Sequence, residues 1–328
     1  MNSSVSTSAF CPARYAAIDI GTVTCRMLVA DIDAQGGMTE LDREYAITNL
    51  GEGVDATGVL KPEAIARVVS TVERYCAVRD SFASQEKPSI KTVAVATSAS
   101  RDAKNADEFA GQLAKTGVKL SVIPGQKEAA LSFAGASCDF AGENLMVVDI
   151  GGGSTEVVVG RAGGAPMWAH SFNIGCRRVT EKFIHSDPPA QAELDEARAW
   201  IREGMQAKFA EMKATGFALQ RLVAVAGTAT TVVAVRDNMA VYVSAKVHKS
   251  CVTRQELDEV FGQLATIPLE QRQRVIGLDP GRAPVITAGL LIMQVVLDLA
   301  GVDSFTVSET DILHGIILDA AKRASVKA

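Results

Sequence analysis

Two stretches of the chain set an aspartate, a glycine turn and hydroxyl side chains at matched spacing, a combination suited to holding phosphate. Residues 145–160 read LMVVDIGGGSTEVVVG. An apolar run ends at Asp149, the glycines Gly151, Gly152 and Gly153 follow, and Ser154 and Thr155 offer hydroxyls before Glu156 and a run of valines. Backbone N–H groups in such a turn can approach a ligand closely, and the return of β-branched residues predicts a hairpin with a phosphate-sized gap. Residues 16–30, AAIDIGTVTCRMLVA, repeat the figure, with Asp19, Gly21, Thr22 and Thr24 in the places of Asp149, Gly151, Gly152 and Ser154. Paired loops across a cleft can grip consecutive phosphates of one substrate. Walker and Rossmann loops do not fit, because both lead from their glycines into a helix and the first also needs a lysine.

Further candidates stand at the ends of other predicted elements. A buried strand over 91–96 delivers Thr97, Ser98, Ser100 and Arg101. The end of a buried strand is where α/β folds place ligand contacts, so Arg101 reads as a phosphate contact rather than a solvated helix start beside Asp102. Gly175, Arg177 and Arg178 form a second candidate anion contact, and the same arginines would also suit a solvated helix start. Gly227 and Thr228 lie between a strand and an apolar helix, as a phosphate or nucleotide-contact loop would. His248 has the type of an ordinary structural histidine, set apart only by Lys246 and Lys249. Glu128 opens the helical segment KEAALSFAG, where a first-turn glutamate suits dipole complementation or capping as well as catalysis.

Those residues need elements to position them. A loop is expected over 50–60, a packing helix from Pro62 to Arg79, and a short strand over 119–123. A long amphipathic helix should run from Gln191 to about Lys213, and Thr253 with Glu256 forms a capping box for another. The apolar run 284–302 contains Thr287, Gln294 and Asp298 and reads as a buried helix, not a membrane span. A strand at 304–307 precedes a last helix capped by Ser308 and Asp311.

At 328 residues with 48% apolar and 22% charged, the composition is that of a soluble protein with room for two cores. The first ten residues lack the basic start and apolar core of a signal peptide and read as a frayed tail. Six cysteines without a CxxC pair suit reduced thiols in the cytoplasm and give no support to a structural zinc site. A net charge of −5 argues against nucleic acid as a partner, so a polyanion must be held by a local basic cleft.

In their order the stretches AAIDIGTVTCRMLVA, LGEGVDATGVL, VATSASRDAKN, IPGQKEAALSFAGA, VVDIGGGSTEVVV, SFNIGCRRVTEKF, VAGTATT, KVHKS, LDPGRAPVITAG and SETDILHGI resemble the exopolyphosphatase and guanosine pentaphosphate phosphatase family. They run from Ala16 to Ile317, almost the whole chain. The resemblance implies an α/β fold of the actin-like ATPase superfamily, with two ribonuclease-H-like domains and an interdomain cleft. It places the first domain at 14–130, with a C-terminal helix at about 308–326 packing back on it, and the second at 131–307.

It also implies hydrolysis of the terminal phosphoanhydride of inorganic polyphosphate or guanosine pentaphosphate with magnesium, potassium being a candidate activator. Carried over position by position, Glu128 is the general base. Asp149 and Glu156 hold magnesium, directly or through water. Asp19, Gly21, Thr22, Thr24, Arg26, Ser98, Arg101 and residues 151–155 grip phosphates, with Arg178, Gly227, Thr228 and His248 as secondary contacts. A homodimer is expected by resemblance only. Such chemistry asks for positioning and charge neutralisation more than covalent help.

The chain departs from the family at Val23, where an asparagine is usual, and at Lys249, where glycine is common. It ends soon after the two-domain core, which leads to the expectation of short rather than long polyphosphate as substrate. A non-catalytic alarmone or polyphosphate sensor is the alternative from another class, argued against by Glu128, Asp149 and Glu156 together. An actin-like sugar or acetate kinase is disfavoured by the QKEA and SETDILHGI segments.

Overall fold

The computed structural model describes residues 10–326; the expected frayed tail falls almost wholly outside them. The strands are β1 (Ala13–Ile20), β2 (Thr24–Ile32), β3 (Met38–Ile47), β4 (Lys91–Ala96), β5 (Leu120–Val122), β6 (Asn144–Ile150), β7 (Thr155–Arg161), β8 (Pro166–Phe172), β9 (Arg221–Val225), β10 (Cys251–Thr253) and β11 (Ser304–Val307). They form two sheets, ordered β3-β2-β1-β4-β5 and β10-β11-β9-β6-β7-β8. In each, three antiparallel strands are followed by parallel ones: β1 pairs with β4 and β4 with β5, while β6 pairs with β9 and β9 with β11. The second sheet adds β10 antiparallel at its edge. Two copies of this strand order make the fold an actin-like pair of ribonuclease-H-like halves facing one cleft.

Both predicted hairpins are present. β1 and β6 are apolar along nearly their whole length because helices cover both faces of their sheets. β3 and β8 were not expected from the sequence; each is a partly exposed strand of mixed polarity at a sheet edge. The expected loop at 50–60 contains one helical turn, Val54–Thr57, bounded by Gly53 and Gly58 at φ +74° and +66°. The residues that follow β4 likewise form a short helix, Ser98–Asp102.

The apolar run forms the helix Ala283–Ala300, 78% buried inside the second half. The final helix, Ile312–Val326, packs its Ile312, Leu313, Ile316 and Ile317 against Tyr15, Ala17 and Leu28 of β1 and β2. Asp311 caps it, accepting from Leu313 N at 3.0 Å. Ser308 does not, since its hydroxyl stays within the preceding turn, accepting from Thr310 N at 3.1 Å. This helix crosses the helix Gly125–Ala136 so closely that a Cβ on Gly135 or Gly315 would overlap the other helix's backbone. That crossing brings Glu128 and Asp311 to one cleft.

Candidate active site

The two DIG turns are built alike: Gly21 N donates to the Thr24 carbonyl at 2.8 Å and Gly151 N to the Ser154 carbonyl at 2.9 Å. They are packed tip to tip. A Cβ on Gly152 would collide with Thr22 and Val23, and one on Gly153 with Ser98 and Thr22. One on Gly175 would overlap the Gly152 carbonyl. Only glycine permits this approach, and a cavity of about 560 Å³ remains beside the turns. Asp19, Arg26, Glu128, Asp149, Gly227, Thr228 and Asp311 line it.

Strand register explains the pairing of side chains. Asp149 lies opposite Glu156, so both carboxylates occupy one face of the second hairpin. In the first hairpin Asp19 lies opposite Arg26, and the counterpart of Glu156 is therefore a cation. Ser132 stands one helical turn after Glu128 and donates to Asp149 at 2.6 Å. Ser171, cross-strand neighbour of Glu156, donates to it at 2.6 Å. Arg26 bridges Asp19 at 2.6 Å and Asp311 at 2.5 Å. Arg101 pairs with Glu128 at 2.6 Å and donates to the Ile123 carbonyl at 3.0 Å.

Carboxylates outnumber guanidinium groups here, and all are buried. Burial pushes Glu128 up to about 7, with Arg101 opposing the rise. Asp149 is pushed up to about 6 by burial, against the pull of Arg26 and the Ser132 hydroxyl. Glu156 is raised well above its ordinary value by burial and then by Glu128 and Asp149. Burial raises Asp19 too, in spite of Arg26. Asp311 behaves oppositely: burial alone raises it, but Arg26, His314 and Arg43 together hold it well below the ordinary range.

An excess of buried carboxylate asks for a cation. The Oδ1 atom of Asp19 and Nε of Arg26 are buried without a partner among the described residues, an acceptor and a donor left open beside the cavity. Among the described residues no three His, Cys, Asp or Glu side chains converge as a protein cage. This donor set fits a hard divalent ion that keeps its waters and takes one or two carboxylates plus substrate oxygens. Asp149 and Asp19 border the cavity, whereas Glu156 lies behind it, 1% exposed.

Other expected contacts are placed differently. Thr155 Oγ1 donates to the Ile174 carbonyl at 2.6 Å inside the core. Arg178 is held by Asp102 at 2.6 Å and by Asp55, clasping the two halves together beside Ser98 and Gly153. His248 lies outside the cavity; its Nδ1 accepts from Glu309 N at 3.2 Å and its Nε2 stands 3.4 Å from Asp139. Sequence reasoning missed Ser132 and Ser171, although the i, i+4 spacing of Ser132 from Glu128 was a usable signal. It took Asp311 only as a helix cap, and nothing in the sequence pointed to its contact with Arg26, 285 residues away.

Twin turns, buried carboxylates and arginines gathered in one cleft of an actin-like fold suit phosphoryl transfer. The Ppx/GppA phosphatase family model matches residues 28–324. Exopolyphosphatase 2 of Mycobacterium tuberculosis is 39% identical over 324 residues, covering 94% of this chain and 98% of that protein. An exopolyphosphatase-like protein of known crystal structure superposes with a TM-score of 0.85 at 32% identity, covering 95% of this chain and 99% of that one. The Ppx/GppA family member of Aquifex aeolicus gives 0.75 at 30% identity, over 95% and 99%. The chain belongs to the Ppx/GppA phosphatase family, and is a hydrolase of that phosphatase class.

Proposed function

We propose that this protein removes the terminal phosphate of inorganic polyphosphate, favouring short chains, with Glu128 as general base. The observation that carries the reading is the convergence of Glu128 and both DIG turns on one cavity. Backbone N–H groups and the hydroxyls of Thr22, Thr24 and Ser154 would hold consecutive phosphates. Arg101 would neutralise the phosphate under attack while it orients Glu128. Glu128 would then take the proton of the attacking water, a task suited to a group near neutrality. Asp149, with Asp19, would hold magnesium, while Glu156 would act through bound water. When bound, magnesium supplies charge neutralisation at the phosphoryl oxygens. A cavity of about 560 Å³ has room for a short run of phosphoryl units beside the turns.

Guanosine pentaphosphate is the second reading. One end of the same cavity is walled by Tyr45, Met239, Tyr242 and Leu278 beside Arg282, an apolar and aromatic setting suited to a nucleoside. The test is phosphate release with magnesium from short polyphosphate, long polyphosphate and guanosine pentaphosphate, with Glu128→Ala in parallel. Release from short polyphosphate that falls at least about 100-fold in the variant supports the reading. Release from the nucleotide alone promotes the second reading, and faster turnover on long polymer overturns the chain-length preference. Binding without turnover would leave a sensor.

A further inference from the structure

A second groove of about 530 Å³ is bordered by Arg101, whose ion-pair partner Glu128 borders the main cavity. Glu128 lines the cavity; Arg101, with Ser100, Lys104, Ile123 and Pro124, lines the groove. The pair, joined at 2.6 Å, thus links the linings of the two.

Three features of the groove call for an anion. Ser100 is 2% exposed and borders the groove, and its hydroxyl has no partner among the described residues. Lys104 is exposed on the rim and makes no ion pair among the described residues. Arg101 uses its Nη1 for both Glu128 and the Ile123 carbonyl, leaving the rest of its planar fork for a ligand. Asp107 is the opposing charge on the rim.

Geometry gives this groove a use, which rests on the proposed terminal hydrolysis. An enzyme that cuts the end of a chain holds the terminal phosphate deepest, with the remaining polymer filling the path by which it entered. The released phosphate then has Arg101 behind it and polymer in front. We propose that the groove of Ser100, Arg101 and Lys104 is an orthophosphate site, through which product leaves while the shortened polymer stays bound.

The test is product inhibition by inorganic phosphate of the full chain and of Lys104→Glu and Ser100→Ala, with short polyphosphate as substrate. Inorganic phosphate should inhibit the native protein with a noncompetitive component. Lys104→Glu should raise the phosphate concentration needed for that component at least about fivefold, while KM for polyphosphate stays within about twofold. Purely competitive inhibition of the native protein overturns the proposal, as does a Lys104→Glu variant with an unchanged inhibition pattern. A KM rising in parallel assigns the groove to the polymer and also overturns it. Broadening of the ³¹P signal of inorganic phosphate by the native protein, reduced in Lys104→Glu, reads the site without turnover. It therefore separates a failed groove from a failed polyphosphatase reading.

Discussion

If Glu128 takes the proton from water, the pH dependence of kcat/KM carries its signature. Burial sets its carboxyl at about 7 with Arg101 opposing the rise, and the group must be ionised to act. Activity therefore climbs as pH rises through that value. About one tenth of the molecules hold ionised Glu128 at pH 6 and about nine tenths at pH 8, roughly a tenfold gain. Arg101, 2.6 Å away, keeps the value from rising further. An adjacent arginine lowers a carboxyl by about 1–3 units, so Arg101→Met should move the ascending limb that far toward alkaline pH. Its loss as a phosphate contact lowers the height of the curve, whereas its loss as a neighbour moves the midpoint. The assay is initial phosphate release between pH 5.5 and 9.5 at constant ionic strength, with circular dichroism at each pH to verify the fold. A reduced curve with an unmoved midpoint would show that Arg101 serves the substrate alone. A native profile flat across this window would remove Glu128 from the role of base.

Three other outcomes follow from the same groups. Asp149 is raised from 3.8 to about 6, so the folded chain binds more protons than the unfolded one; the stability this lends at low pH is lost as pH rises through 6. Asp149→Asn should recover up to about 3 kcal/mol at pH 8 and less at pH 5 while abolishing turnover, as thermal unfolding at both pH values would show. Asp311 has the opposite sign, its depressed carboxyl stabilising the fold at neutral pH and ceasing to do so as acid protonates it. Asp311→Ala should cost about 3–5 kcal/mol at pH 7, and the deficit in urea denaturation should narrow near pH 3. Gly175→Ala drives a methyl into the Gly152 carbonyl and should cost about 1–3 kcal/mol while displacing the phosphate turn. A melting curve and kcat/KM both matching the native protein would contradict the tip-to-tip packing.

What the sequence made legible was decided by how local the cause is. Both hairpins announce themselves because apolar strand, glycine turn and apolar strand fall within a few residues, and their register then places Asp149 against Glu156 without further information. β3 and β8 lack such a signal: at the sheet edges their polar residues tolerate water, so periodicity is weak. Long-range pairings are hidden for a different reason. Arg26 reads as a phosphate contact by its place after the first turn, yet it is held between Asp19 and Asp311. Arg178 reads the same way, yet it clasps Asp55 and Asp102 across the halves. In each case an arginine suited to a polyanion is neutralised by carboxylates. Those partners keep the closed cleft together and avoid an unpaired buried cation. On the proposed reading, a phosphate chain reaching Arg26 would compete with Asp19 and Asp311 for its guanidinium. The contacts that hide Arg178 from sequence reasoning are thus the ones that tie the two halves together, since Asp55 and Asp102 lie in the first half and Arg178 in the second.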